Sequence, residues 1–100
     1  MNKNKICCPE ELLQIYAKKL KVCGHPLRLK ILCLIENQEA CVTELWQCLD
    51  KPQPVVSQHL AVLKDNEIVG SQVVGNKRIY SIIDIFIKQL IENILQNNTQ

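Results

Sequence analysis

The sequence predicts a mainly α-helical chain carrying one small β-hairpin, an α+β domain with the order α-α-α-α-β-β-α. Three observations predict it. Apolar residues recur at helical spacing through most of the chain. After Val69 that period gives way to short alternating runs around Gly75-Asn76-Lys77. The chain has 100 residues, 47% hydrophobic and only 4% aromatic, so it makes one domain whose core is Leu, Ile and Val. The net charge of +2 permits a polyanionic partner without demanding one. No run approaches the roughly 18 apolar residues of a membrane span. Met1 to Cys8 lacks the apolar centre of an export signal, so a cytoplasmic protein without membrane contact is expected.

Residues 1–8 read as a polar tail that carries Cys7 and Cys8. Pro9-Glu10-Glu11 opens the first helix, with proline and acids where the helix dipole favours them. Leu12, Leu13, Tyr16 and Leu20 continue it to Val22, and Gly24 breaks it. Pro26 opens the second helix, with Leu27, Ile31, Leu34 and Ile35 inward, Arg28 and Lys30 outward, and an end near Asn37-Gln38. Cys41 to Leu49 forms a short third helix on Val42, Leu45, Trp46 and Leu49. Glu44 stands at capping-box spacing from Cys41, which occupies the place of the usual serine. Asp50-Lys51-Pro52 is a turn. Pro52 to Val69 then reads as one helix with Val56, Leu60 and Leu63 inward, Pro54 in its first turn and Gly70 as its stop. Gln72–Val74 and Arg78–Ile82 pair as a hairpin. Asp84 starts a last helix on Ile87, Leu90, Ile91, Ile94 and Leu95, more apolar than a monomer of this size comfortably covers.

Residues 41–64 are therefore helix, short turn, helix, and the hairpin of residues 71–82 follows directly as a wing. The second helix of the pair turns Gln53, Ser57, Gln58 and Lys64 away from its apolar stripe. Amides and hydroxyls suit base edges, and a cation suits phosphate. Gln53, Val55, Ser57 and Gln58 are expected to face bases or nearby phosphates of duplex DNA; Lys64, Lys77 and Arg78 are expected on phosphates or in the minor groove. There is no Gly-rich phosphate loop and no histidine pair with a carboxylate, so an enzyme is not expected. Six cysteines in a chain without an export signal point to metal binding or thiol sensing beside ordinary packing.

In order and spacing, four blocks resemble the ArsR/SmtB-type winged helix-turn-helix repressors. They are Gly24-His25-Pro26-Leu27-Arg28-Leu29-Lys30-Ile31-Leu32, Cys41-Val42-Thr43-Glu44-Leu45, Gln53 through Leu63, and Asn76-Lys77-Arg78-Ile79-Tyr80-Ser81. The resemblance covers residues 10–96. It implies a homodimer joined through the first and last helices (the last spanning residues 84–96), and a palindromic operator with half-sites about one helical turn apart. Pro52 departs from the family's serine before the recognition helix, which removes a natural cap or passes it to Gln53.

Members of this family respond to metal ions, metalloids or sulfur oxidants at different sites. The zinc-type site on the last helix does not fit: Asp84 is present, but Phe86 stands two residues on and no histidine follows. The soft-metal site fits in part. Cys41 holds the first position and Thr43 replaces the second cysteine, while Cys7 and Cys8 are placed to complete a three-thiolate set. Such a set suits arsenite or antimonite, and also cadmium, lead or copper(I), as a released inducer rather than an obligatory cofactor. The persulfide-sensing pair is missing, since Ala40 takes its first position and no cysteine follows Cys48. A redox pair of Cys7 or Cys8 with Cys41 is the alternative regulator, and a protein-contact module without DNA binding is a second alternative. Cys33 is expected in the core and Cys48 half-buried, with Cys23 a weak candidate for an added ligand. His25 and His59 are expected to be structural or capping residues.

Overall fold

The computed structural model describes residues 9–38 and 42–97. Over them the chain runs α1 (Glu10–Cys23), α2 (Pro26–Gln38), α3 (Val42–Leu49), α4 (Gln53–Asp65), β1 (Val69–Val74), β2 (Lys77–Ile82) and α5 (Ile85–Asn97). The order is the one the sequence predicts, with α3 and α4 as the helix-turn-helix and β1–β2 as its wing. Cys41, and with it the expected Cys41–Glu44 capping box, lies outside the described residues.

The helix boundaries follow from local chemistry. At α1 the Pro9 carbonyl accepts the Leu13 N–H at 3.1 Å, and Glu10 and Glu11 occupy the first turn. Gly24 is its C-cap, with its N–H on the Lys21 carbonyl, at a place where a Cβ would stand 3.0 Å from the Leu20 carbonyl oxygen. At α2, His25 acts as the cap: its Nδ1 accepts the Leu27 N–H at 3.1 Å, and its carbonyl accepts that of Leu29 at 2.9 Å. Asp50, in the turn between α3 and α4, takes a left-handed φ of 56°, which aspartate tolerates better than most residues.

The largest departure from expectation is the end of α4. The helix stops at Asp65, four residues before Val69, and Gly70 lies inside β1 opposite Ser81. Glu67 adopts φ 60°, its N–H donates to the Lys64 carbonyl at 3.0 Å, and the Ile68 N–H donates to the Leu63 carbonyl at 2.9 Å. That is the paired hydrogen bonding of a Schellman stop, closed by its usual apolar contact, since Leu63 and Ile68 are both fully buried. A glutamate stands where glycine is usual, which hid the stop from a composition-based reading. The hairpin begins correspondingly early, with Val69 opposite Ile82 and Val74 opposite Lys77 around a two-residue Gly75-Asn76 turn. Gly75 there has φ 65°, the demand of a tight hairpin turn.

The core draws on every element. Ile31, Leu32 and Ile35 of α2 meet Leu45 and Leu49 of α3, Val56, Leu60 and Leu63 of α4, and Ile87 and Ile91 of α5. Val69 and Ile82 close it at the base of the wing. Each such side chain contributes about 1.5–3 kcal/mol when fully buried. Leu27 and Leu34, expected inward, are only half-buried, while Leu32 fills the core instead. The Ile68 carbonyl accepts the N–H groups of Ile83 at 2.9 Å and Asp84 at 3.3 Å, which joins the wing's base to the start of α5. Among the described residues, no helix is long and apolar enough to cross a membrane.

Candidate nucleic-acid interface

Helix α4 divides into two faces. Val56, Leu60 and Leu63 are buried, and Gln53, Pro54, Gln58, Ala61 and Lys64 are exposed, with Val55 and Ser57 half-buried. At 3.6 residues per turn, Gln58 falls at the centre of the outer face. Gln53, Ser57 and Lys64 share one flank of it, and Val55 lies on the opposite flank. The helix start has no side-chain cap; the Pro52 carbonyl accepts the N–H groups of Val55 at 3.1 Å and Val56 at 3.3 Å. Gln53 therefore does not take over the cap that a serine at position 52 would supply.

The wing is tied to the far end of this face. Ser71 Oγ accepts from Lys64 Nζ at 3.3 Å and from Arg78 Nη1 at 3.1 Å. Two cations, one from α4 and one from β2, thus converge on a single neutral hydroxyl at the surface. Their mutual repulsion favours an anion beside them, and a phosphate offers the oxygens both can share. Lys77 stands exposed where β2 leaves the turn, with Val73 and Val74 exposed on the facing strand. Gln53 lies at the opposite end of α4, about 16 Å from Lys64 along the helix axis. Gln53, Ser57, Gln58, Lys64, Arg78 and Lys77 thus run from the start of α4 to the wing tip, with Val55 apart on the other flank.

Ser71 was not foreseen. The strand register carries the missing signal: Ser71 pairs with Tyr80, and Arg78, two residues from Tyr80, shares its face. Pro54 and Ala61 also join the outer face of α4 without having been singled out. Arg28, expected outward, is instead half-buried. Its Nε donates to His59 Nδ1 at 3.1 Å and its Nη1 to the Val22 carbonyl at 3.1 Å. The His25 and His59 rings lie 4.7 Å apart. Burial, with the charge of Arg28 and the neighbouring His25, holds the His59 imidazole below its ordinary range. Both histidines are thus capping and packing residues.

The proposed thiol set cannot be placed in the same way, because Cys7, Cys8 and Cys41 all lie outside the described residues. The other three cysteines divide clearly. Cys23 is buried, and desolvation, reinforced by Asp84 and only partly offset by Arg28, pushes its thiol up to about 11. Cys33 is half-buried and likewise raised by burial. Cys48 is exposed rather than half-buried, at the edge of the α3 stripe that Leu45 and Leu49 bury. Asp84 is engaged at the α1–α5 junction: its carboxylate meets Lys19 Nζ at 2.6 Å and accepts the Ile87 N–H at 2.9 Å. Burial alone raises the Asp84 carboxyl, but Lys19 and the N–H groups of Ile87 and Phe86 outweigh it and hold it below the usual carboxylate range.

The sequence profile described as "Bacterial regulatory protein, arsR family" matches residues 25–71, which span α2 to the start of the wing. The arsenical resistance operon repressor of Staphylococcus xylosus is 36% identical over 80 residues, covering 80% of this chain and 77% of that protein. An HTH-type transcriptional regulator of Methanocaldococcus jannaschii is 40% identical over 77 residues, covering 76% of this chain and 86% of that protein. The chain spans 62% of the length of the Mycobacterium tuberculosis transcriptional repressor SmtB, to which it is 31% identical over 83 residues. Among solved structures, HlyU of Vibrio cholerae superposes with a TM-score of 0.84 at 28% identity, covering 92% of this chain and 100% of that one.

Proposed function

The chain belongs to the arsR family of bacterial regulatory proteins, and from that premise we propose that it is a homodimeric repressor that binds operator DNA and is released by a thiophilic inducer. One observation carries the DNA-binding part. The outer face of α4 and the wing form a continuous strip in which Gln53, Ser57 and Gln58 offer neutral hydrogen-bonding groups, and Lys64 and Arg78 are gathered on Ser71. The amides and hydroxyl read bases from the major groove; the cations fix register on phosphate. Val55, on the opposite flank, contributes apolar contact, and Lys77 reaches the backbone from the wing tip.

Helices α1 and α5 supply the dimer contact. Leu12, Leu13 and Leu20 of α1 and Ile94 of α5 are exposed, and a second copy of the same helices is the surface that covers them. The inducer site is Cys7, Cys8 and Cys41, three thiolates suited to arsenite or antimonite and to other soft ions. The likeness to an arsenical resistance repressor supports that choice. Binding at Cys41 acts at the start of α3, the helix that precedes the DNA reader. An inducer that binds the DNA-free geometry better by about 3 kcal/mol weakens operator binding roughly 150-fold. The thiol-redox reading draws least on Cys23 and Cys33, whose raised thiols are poor nucleophiles.

The test is an operator shift assay with arsenite, cadmium and zinc, run beside peroxide and reductant. Arsenite release that is lost in Cys41→Ser and in a Cys7/Cys8 double serine variant is the expected result. Release that is unchanged in both variants removes the assigned site. Release by oxidant alone, reversed by reductant, moves the assignment to the redox reading.

A further inference from the structure

We propose that Arg28 and His59 are a positioning pair for DNA reading: the neutral His59 imidazole accepts the Arg28 Nε–H across α2 and α4, and its protonation frees the recognition helix, so sequence-specific affinity falls on acidification. This rests on the DNA-binding reading above.

The geometry requires a particular protonation state. A guanidinium is always a donor, so the 3.1 Å contact from Arg28 Nε obliges His59 Nδ1 to keep its lone pair. The proton of the neutral ring is then on Nε2. Adding a proton at Nδ1 removes the acceptor and sets a cation against the guanidinium. Arg28 cannot simply withdraw, because its Nη1 is also held by the Val22 carbonyl at 3.1 Å, at the end of α1. One side chain thus ties the end of α1 and the body of α2 to α4, at a residue that directly follows Gln58.

The surroundings sharpen the effect. The charged and titratable groups acting on His59 are Arg28 from α2 and His25 from the turn before it, with desolvation adding to both. None of the three stabilises an imidazolium. His25 itself is engaged at the start of α2, where its Nδ1 accepts the Leu27 N–H. His59 protonates later in the fold than in a free chain, so the fold loses stability as the pH falls below about 6.5.

The predicted sign is unusual for a DNA-binding protein. Histidine protonation adds positive charge, which strengthens contact with phosphate in general. A purely electrostatic role for His59 gives tighter binding in acid; the positioning role gives weaker specific binding.

The experiment uses a fluorescent duplex selected by the protein from a random-sequence pool at pH 8, with a scrambled duplex as control. The ratio of affinities for the two is followed from pH 8 to pH 5.5, with circular dichroism at each point. The expected result is a fall of at least tenfold for the wild type and a flat profile for His59→Gln, whose amide oxygen accepts the same Arg28 bond without titrating. A His59→Gln profile that falls as steeply as the wild type overturns the proposal. Should His59→Gln fail to fold, imidazole NMR of the wild type decides. The proposal requires Nδ1 unprotonated at pH 8 and the loss of specificity to track the His59 titration, and separate midpoints overturn it. If selection enriches no duplex, the DNA-binding reading fails. The pair is then judged by the Arg28 Nε–H signal: loss with the imidazole titration upholds it, and persistence through the titration overturns it.

Discussion

Helices α1 and α4 are 14 and 13 residues long, both amphipathic, and they meet opposite fates. Helix α4 buries Val56, Leu60 and Leu63 completely, while α1 buries only Cys23 and leaves Leu13 49% exposed. The difference lies in the partners available, not in the pattern. Helix α4 packs on α2 and α3, is stopped by the bonds of Glu67 and Ile68 to its last turn, and is tied to the wing through Lys64 and Ser71. Helix α1 lies at the edge, anchored by Cys23 at its end and touched by the Lys19–Asp84 ion pair, the Tyr16–Phe86 edge contact at 4.7 Å and the Arg28 bond to Val22. An apolar stripe that its own chain does not cover is a request for a second chain.

That contrast is broken most severely by removing buried volume from α4. Leu60→Ala is expected to destabilise the fold by about 2–5 kcal/mol. Leu13→Ala is expected to change the stability of the monomer by less than about 0.5 kcal/mol. Urea unfolding at a concentration low enough to exclude association compares them; equal losses contradict the assignment of inner and outer helices. On the outer face of α4, Gln58→Ala is expected to remove about 1–3 kcal/mol of discrimination at one base pair while leaving non-specific binding intact, as read from competition against mutated duplexes.

Smaller effects sharpen the same picture. Glu67→Gly relieves the left-handed strain at the end of α4 and is expected to add roughly 1 kcal/mol in thermal melts. No gain there shows that the glutamate is not strained. Asp84 is held below its ordinary range, so its contribution is complete above about pH 4 and is lost as the pH falls through its folded value. Asp84→Asn is therefore expected to flatten the acid limb of the stability profile and to loosen α1 from α5, without altering the profile between pH 5 and 8. An unchanged acid limb contradicts the ion pair's role.

Much of this was legible in the sequence because helical period and proline placement are local signals. Pro9, Pro26 and Pro54 mark three helix starts, and the Leu60–Leu63 stripe marks which side of α4 goes inward. What the sequence concealed depends on long-range or atypical geometry. Arg28 reads as outward by period, but its long side chain folds back to reach residue 59, thirty-one positions away. Ser71 gains meaning only when the strand register sets Arg78 on its face. The end of α4 was missed because a glutamate occupies the position where glycine announces a stop. Cys48 was misjudged from its neighbour Leu49, although a helix turns adjacent residues to different sides.

In the proposed dimer the outer helices join two chains so that two copies of α4 read DNA together. Sedimentation velocity of the wild type and of a Leu13→Lys/Leu20→Lys variant, each alone and with the selected duplex, tests it most directly. The expected result is a wild-type dimer that binds one duplex per two chains, and a variant that stays helical but monomeric and loses specific binding at least tenfold. A wild-type monomer that binds one chain per duplex, or a charged variant that remains dimeric with unchanged affinity, would contradict it.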